Sequence, residues 1–395
     1  MDQMLPEVRL RRGHERRVRR GHPWIFSNEL EPGAAEFDPG ALVRVVDSRE
    51  RFVGSGYINP RSLITVRLLR RDEGPVDEAF LADRLDRATA LREQLLPGEQ
   101  AVRLVYSESD GLPGLVVDRY GDHLAVQVST AGMERLMPTM LEILKDRLAP
   151  RCIVARNDVH FRVLEGLSEE VGVLHGELDP DLEVAYEGLR LRIDLLGGQK
   201  TGLYLDQRAN QRALAGLLGG GRMLDAFCYQ GTWGLLALQA GAGEVVGLDS
   251  SQEALDLASV HADVNGLSDR VSWFRRDVLE ALKEFRAGGE RFDVVILDPP
   301  AFVKSRKQVK EGLRGYLDLN RKGFEVVADG GVLITCSCSH HVRPEVFRDT
   351  VAHAASLAGR HARVLYQGGQ SSDHPALLTA VETDYLKCLA LHVEG

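Results

Sequence analysis

From about residue 190 onward, short apolar runs alternate with helical-period segments, and this alternation restricts the fold more than any other feature of the chain. Seven runs read as strands: 223–227, 244–249, 271–274, 292–298, 332–337, 364–367 and 385–393. Helices fall between the first six. Such alternation joins parallel strands through crossover helices, so the expected product is a parallel sheet covered on both faces. Sheets of this kind bind ligands at the carboxyl ends of their strands. The residues at those ends therefore carry the functional argument.

The first of these ends reads Leu224-Asp225-Ala226-Phe227-Cys228-Tyr229-Gln230-Gly231-Thr232-Trp233-Gly234. A buried strand runs into an acidic residue and a glycine-containing turn, then opens a helix. Glycine there lets the backbone approach a ligand closely. The spacing is not the G-x-G-x-x-G turn that a dinucleotide pyrophosphate requires. S-adenosylmethionine (SAM) carries no phosphate, but it has a sulfonium and an ammonium, and Asp225 suits those charges. The next strand ends in Asp249, placed to accept both ribose hydroxyls, and Asp277 follows the third strand, placed to accept from an adenine amino group. Each aspartate alone also reads as a helix N-cap. Three at successive strand ends are harder to explain as caps alone.

The fourth strand carries Asp298 to the sheet edge, and Pro299-Pro300 then force an extended loop. The fifth ends Thr335-Cys336-Ser337-Cys338-Ser339. These residue types suit methyl transfer to a pyrimidine. Pyrimidine C5 is a poor nucleophile until a thiolate adds at C6, with a carboxylic acid at N3 assisting; a base then removes the C5 proton so that the thiolate leaves. A strand-end cysteine is also commonly a small core residue. Alternation points Cys336 and Cys338 to the same face, so geometry alone does not choose between them, although Cys338 lies nearer the loop. His340 and His341 follow, either to lower a thiol pKa or as exposed loop residues.

The first half is organised differently. Runs at 41–47, 52–58 and 63–69 read as a small β domain ending near residue 72. A helical stretch over 79–95, strands at 102–106, 115–118, 124–128 and 153–156, and a helix over 134–148 then make a central α+β domain, 73–188, ahead of the domain at 189–395. The formal charge of −9 argues against wholesale coating by nucleic acid. Seven arginines nevertheless crowd the N-terminus, among them Arg16, Arg17, Arg19 and Arg20, and such a cluster reads either as a phosphate footprint or as a solvated arm. Five cysteines without zinc-type spacing point to a reducing, cytoplasmic setting and to no metal. No apolar stretch reads as a signal peptide or a membrane span.

Taken together, several blocks resemble the RlmI-type cytosine-C5 methyltransferases of large-subunit ribosomal RNA. They are Gly21-His22-Pro23-Trp24-Ile25-Phe26, the run 199–208 from Gln199 to Arg208, the Asp225 loop, Leu297-Asp298-Pro299-Pro300, Ser337-Cys338-Ser339, Asp373-His374-Pro375 and Tyr385-Leu386-Lys387-Cys388. The resemblance covers essentially the whole chain. It implies an N-terminal PUA RNA-binding domain, a central α+β domain and a C-terminal Rossmann-like, seven-stranded methyltransferase domain. It also implies SAM as cofactor, ribosomal RNA as partner, Cys338 as nucleophile and Asp298 as its acidic companion, and it allows a homodimer. The cofactor would be held by Lys200, Tyr204, Gln207, Arg208, Asp225, Phe227, Gly231, Asp249, Asp277 and Asp298, with Arg208 placed to pair with the methionine carboxylate. No cysteine follows Asp298-Pro299, where other RNA cytosine-C5 methyltransferases carry one to aid product release, so the group that removes the C5 proton is left open.

Two other readings compete. A guanine N-methyltransferase would use Asp298 and its neighbours to bind the base edge, and Cys338 argues against it. Against an RNA-binding or ribosome-assembly factor that only senses SAM stands the intact set Asp225, Asp249, Asp277 and Asp298.

Overall fold

The computed structural model describes residues 5–198 and 201–395. The chain forms two compact units. One comprises the chain to Val184 together with 193–205 and 372–383; the other comprises 185–192, 206–371 and 384–395.

The first unit holds two five-stranded sheets. In the N-terminal one, Glu7–Arg9 pairs parallel with Ala41–Val46, and Phe52–Ile58, Val66–Arg70 and Trp24–Ile25 follow antiparallel. Val8, Leu10, Val43, Val45, Ile58 and Val66 form its core. The expected strand over 63–69 starts later than its apolar run suggests, and Leu63 is 70% exposed. The cause is the turn at Asn59-Pro60: Ser62 N donates to Asn59 O and Asn59 N to Thr65 O, which holds 59–65 as a loop.

The second sheet runs Val171–Gly176, Cys152–Arg156, His123–Val128, Leu115–Tyr120, Ala101–Tyr106. Helices Glu78–Leu95 and Ala131–Leu148 cover it, with Leu81, Leu85, Met140 and Leu144 in the shared core. Their N-caps are Asp77, accepting from Phe80 N, and Thr130, accepting from Met133 N. The Thr130 cap starts the second helix earlier than the periodicity indicates. The segment 372–383 is tied into this unit through Asp373, whose carbonyl accepts from Arg92 and whose carboxylate accepts from Arg103 N.

The second unit is built on a seven-stranded sheet, whose strands we number β1 (Arg222–Ala226), β2 (Glu244–Asp249), β3 (Val271–Arg275), β4 (Phe292–Leu297), β5 (Val327–Ser337), β6 (His361–Gly368) and β7 (Lys387–Glu394). Their spatial order is β3-β2-β1-β4-β5-β7-β6. Helices Thr232–Gln239, Gln252–Val264, Val278–Ala287, Val309–Val326 and Pro344–Leu357 separate the first six, which gives the Rossmann-like α/β fold. β1 to β6 all run in the same direction, and β7 alone is reversed. β7 enters antiparallel between β5 and β6, which corrects the expectation of a parallel sheet throughout. The connection 369–386 carries one short helical turn and no crossover helix, so the chain re-enters the sheet in the opposite direction.

Leu224, Leu248, Val295, Leu297, Leu333 and Leu391 are buried at the centre of this unit. Full burial of each such side chain contributes about 1.5–3 kcal/mol. Among the described residues no helix is long and apolar enough to cross a membrane.

One close approach is obligatory. A Cβ on Gly247 of β2 would lie 2.1 Å from the Trp273 ring and 3.2 Å from Cys228 Sγ. Gly247→Ala should therefore lower stability by about 1–3 kcal/mol through overpacking. Urea unfolding checks this, and an unchanged midpoint would refute the close packing around β2.

Candidate cofactor and reaction site

The strand-end acids and the two β5 cysteines lie in the second unit. β1 delivers Asp225 fully buried at the sheet's carboxyl edge. The loop after it is conformationally demanding: Phe227, Tyr229 and Gly231 have φ of 65°, 50° and 77°. Non-glycine residues adopt this left-handed region only at a cost, and it clusters at ligand sites. Gly231 is additionally required because a Cβ there would sit 2.5 Å from the Trp273 ring. Cys228 N donates to Leu248 O and Gly231 N to Cys228 O, which fixes the loop between β1 and the end of β2.

Asp225 Oδ2 accepts from Gly234 N at 2.9 Å, in the first turn of the helix that follows. Its Oδ1 is buried and has no hydrogen-bond partner among the described residues. Burial pushes the Asp225 carboxyl up to about 7, and the negative charges of Asp298 and Asp249 add to the rise. An uncompensated buried acid of this kind is a site for a cation.

Asp249, at the end of β2, is half-buried. Oδ2 accepts from Tyr229 N and Oδ1 from Ser251 N, both at 2.9 Å, which fixes the carboxylate plane while each oxygen retains a lone pair. Asp298 follows β4, and its Oδ2 accepts from Gln207 Nε2 at 2.9 Å. Gln207 is itself oriented by Asn210, which donates to its Oε1 at 2.6 Å. Phe227 packs at the edge of the core and Gly231 is buried.

Other expected cofactor residues are placed differently. Asp277 is exposed and caps helix Val278–Ala287 by accepting from Glu280 N at 3.0 Å, so the cap reading accounts for one of its oxygens. Arg208 is fully buried, lies 4.8 Å over the Tyr186 ring and pairs with Glu187 at 3.2 Å. The carboxylate it holds here belongs to the chain itself. Tyr204 is half-buried in a segment of the first unit, and Lys200 lies outside the described residues.

The two cysteines at the end of β5 are distinguished. Cys336 is fully buried opposite Cys388 of β7, and its thiol is held well above the ordinary range by that neighbour and by burial. Cys338 is half-buried just beyond the strand, with Sγ 3.9 Å from Pro299 O, on the loop that follows Asp298. The flanking serines explain its rigid setting. Ser337 Oγ donates to Tyr316 Oη at 3.0 Å, Tyr316 Oη and Ser339 Oγ lie 2.9 Å apart, and Ser339 Oγ accepts from Val303 N at 3.1 Å. One tyrosine thereby ties the Cys338 turn to the loop after Asp298. His340 is exposed and stacks on Tyr385, and His341 is exposed.

Sequence reasoning gave no role to Lys387. Its buried Nζ donates to Ser339 O and Tyr385 O, both at 2.7 Å. Burial pushes it down to about 8, against the opposing pull of Cys338 and Asp384. The available signal was its place in the block Tyr385-Leu386-Lys387-Cys388 beside an antiparallel partner of β5.

In the first unit, the four arginines expected to meet RNA divide into two pairs. Arg17 is paired with Glu29 at 2.6 Å and lies over Phe26, and Arg19 is paired with Asp47 at 2.9 Å. Arg16 and Arg20 are exposed.

The strained loop after β1, the orphaned Asp225 oxygen and the fixed Asp249 carboxylate fit a nucleoside cofactor that carries positive charge and no phosphate. Residues 165–365 match the family described as S-adenosylmethionine-dependent methyltransferase, and residues 8–71 match the PUA-like domain. The protein is thus a SAM-dependent methyltransferase preceded by a PUA-like domain. A ribosomal RNA large subunit methyltransferase I from Tolumonas auensis is 40% identical over 397 residues, covering 98% of this chain and 99% of that one. The protein of the same name from Vibrio cholerae is 38% identical, covering 99% and 100%. The chain belongs to this family. A solved methyltransferase, SMU.776 complexed with SAH, has the same fold, with a TM-score of 0.86 at 18% identity over 98% of this chain and 100% of that one.

The buried acid has a pH signature. Its folded pKa of about 7 lies above the ordinary carboxyl value of 3.8, so the ligand-free fold binds a proton that the unfolded chain releases. Its contribution to stability is present at low pH and is lost as pH rises from about 4 to about 7. Asp225→Asn should remove this component and raise ligand-free stability at pH 8 by a few kcal/mol, while SAM affinity falls at least about tenfold, the weight of one charged hydrogen bond. Urea melts at several pH values and calorimetric titration with SAM measure both effects. A variant that binds SAM as the wild type does would remove Asp225 from the site.

Proposed function

We propose that this enzyme methylates C5 of a cytosine in ribosomal RNA of the large subunit, through a covalent bond between Cys338 and C6 of the base. The observation that carries the reading is the contrast between the two β5 cysteines. Cys336 is sealed in the core, whereas Cys338 stands half-open beside the Asp298 loop. Relatives named for large-subunit ribosomal RNA supply the substrate class. Bound SAM supplies the electrophilic methyl group. The five cysteines are free, and ribosome assembly sets the reaction in the cytoplasm.

In this mechanism the thiolate of Cys338 attacks C6, and Asp298, as the acid, delivers a proton at N3. The resulting enamine is nucleophilic at C5 and takes the methyl group. A base then takes the C5 proton, the C6–S bond breaks to expel Cys338 as thiolate, and the N3 proton returns to Asp298. Asp225 holds the cofactor's ammonium, Asp249 its ribose hydroxyls, and Gln207 holds Asp298 in place. Asp277, Phe227 and Gly231 complete the cofactor's surroundings in this reading, and Arg208 braces Tyr186 and Glu187. Lys387 is a positioning residue. It clamps the Cys338–Ser339 turn through the Ser339 carbonyl, and its positive charge favours the thiolate.

The decisive experiment is trapping on RNA containing 5-fluorocytidine, whose fluorine cannot leave as a proton. Wild type and Cys336→Ala should form a denaturation-resistant adduct, and Cys338→Ala should form none while binding SAM normally. An adduct lost in Cys336→Ala but kept in Cys338→Ala would reverse the assignment. No adduct in any variant, with methylated guanine in the product, would establish the guanine reading instead.

The lysine has its own test. Wild-type single-turnover rates should climb as the thiolate forms and turn down above about pH 8 as Lys387 loses its proton. In Lys387→Met the rising limb should move to higher pH, and Lys387→Arg should restore it in part. A parallel drop at every pH would mean that Lys387 only supports the fold.

A further inference from the structure

A cavity of about 340 Å³ opens in the first unit between the N-terminal sheet and helix Glu78–Leu95. Four arginines line it: Arg70 and Arg71 at the end of strand Val66–Arg70, and Arg84 and Arg87 one turn apart on the helix. Its two acids, Glu108 and Asp110, are already neutralised from behind. Glu108 accepts from Arg67 at 2.9 Å and from the Trp24 indole at 2.8 Å, and Asp110 is gripped by Arg92.

The arginine charges are balanced unevenly. Arg70 is paired with Asp72, and Arg87 with Asp83 at 2.9 Å through Nε. Arg71 donates only to two uncharged carbonyls, Val18 O and His22 O. Arg84 lies 5.0 Å over the Phe80 ring, and its Nε is buried without a hydrogen-bond partner. Among the described residues no carboxylate forms an ion pair with Arg71 or Arg84. Two guanidinium groups therefore face one concavity with no carboxylate at ion-pair distance, Asp72 acting on Arg84 only from further away, inside a protein whose net charge is −9. Leu91, which is 37% exposed, and Leu377 give the cavity apolar walls on which a sugar or base can rest.

A second concavity, lined by Arg16, Arg17, Arg20 and Thr379, adjoins the first. The hinge between them is Gly21, which lines the first, has φ of 110° and packs against Thr379. The positive surface thus continues from the exposed Arg16 and Arg20 into the cavity.

We propose that this cavity is a phosphate-binding site for RNA, with a backbone phosphodiester held between Arg71 and Arg84 and its nucleotide resting against Leu91. Arginine suits the task because its planar fork meets two phosphate oxygens at once. The proposal rests on RNA being the substrate but not on the cytosine chemistry, since it is tested by binding alone.

The test uses the full chain and fluorescently labelled, protein-free large-subunit ribosomal RNA fragments, titrated between 50 and 300 mM salt, roughly the range over which phosphate contacts are lost. Arg84→Gln/Arg87→Gln should weaken binding by roughly tenfold at low salt and flatten the log–log salt slope by about one to two. Leu91→Glu, a surface change that leaves the fold intact, should weaken binding by placing a carboxylate beside the phosphate. Circular dichroism melts and SAM titration should match the wild type in both variants. Unchanged affinity and slope in both would overturn the proposal. So would tight binding of inorganic phosphate or a free mononucleotide that RNA does not displace, which would assign the cavity to a small anion. Loss of RNA binding in a protein that methylates guanine would leave this site standing and remove only the cytosine reading.

Discussion

The in-register parallel pairing of β1 with β2 on one side and β4 on the other decides where the chemistry sits. Asp225 lies opposite Gly247 and Ile296, and Ala226 opposite Leu248 and Leu297. With this register the loop after β1, Asp249 and Asp298 emerge at one edge, within reach of one small molecule. A slip of one residue in any of these strands would move its side chains to the opposite face of the sheet and carry the strand-end carboxylate away from the shared edge. Trp273 on the neighbouring β3 enforces the arrangement sterically, because its ring occupies the space that side chains on Gly231 and Gly247 would need.

The antiparallel entry of β7 has an equally direct consequence. It pairs Lys387 with Ser337 and Cys388 with Cys336. The start of β7 therefore meets the end of β5, which brings a buried ammonium to the Cys338 turn. A parallel strand in the same slot would have put its first residues at the opposite edge of the sheet. The same pairing seals Cys336 behind Cys388, so one topological feature separates the two thiols and supplies the charge beside the outer one.

The alternation of apolar runs made the sheet legible, and the acids at its strand ends followed from strand boundaries alone. Strand direction was not legible for β7, because a run such as Lys387–Glu394 has the same period-two pattern whichever way it points. The choice between Cys336 and Cys338 was equally hidden, since they share a face and differ only through Cys388, some fifty residues away. Arg208 is a similar case. Its partners Tyr186 and Glu187 come from the turn between strands Glu183–Tyr186 and Leu189–Arg192, and nothing local announces a long-range ion pair. Asp277 shows the reverse: its capping role was visible from its position before a helix, and the structure displays that role. Arg17 and Arg19 likewise read as free cations in sequence because Glu29 and Asp47 lie on other elements.

The molecule handles uncompensated charge in two opposite ways, and both bear on function. The fully buried arginines are paired, among them Arg92 with Asp110, Arg162 with Glu134 and Arg208 with Glu187. Leaving a charge unpaired in the interior costs several kcal/mol, so such groups are rare in a stable fold. Asp225 is an anionic exception in the second unit; in the first, the exposed Arg71 and the half-buried Arg84 line a cavity with no ion-pair partner among the described residues. A fold that pairs its buried charges so consistently elsewhere retains Asp225 at a cost to its own stability. That cost is recovered only when a ligand of opposite charge arrives, because binding to the folded state alone stabilises it by mass action. A sulfonium cofactor with an ammonium meets Asp225, and a polyanion meets the arginine cavity. The two halves of an RNA methyltransferase are thus distinguishable by the sign of the charge that each leaves unanswered.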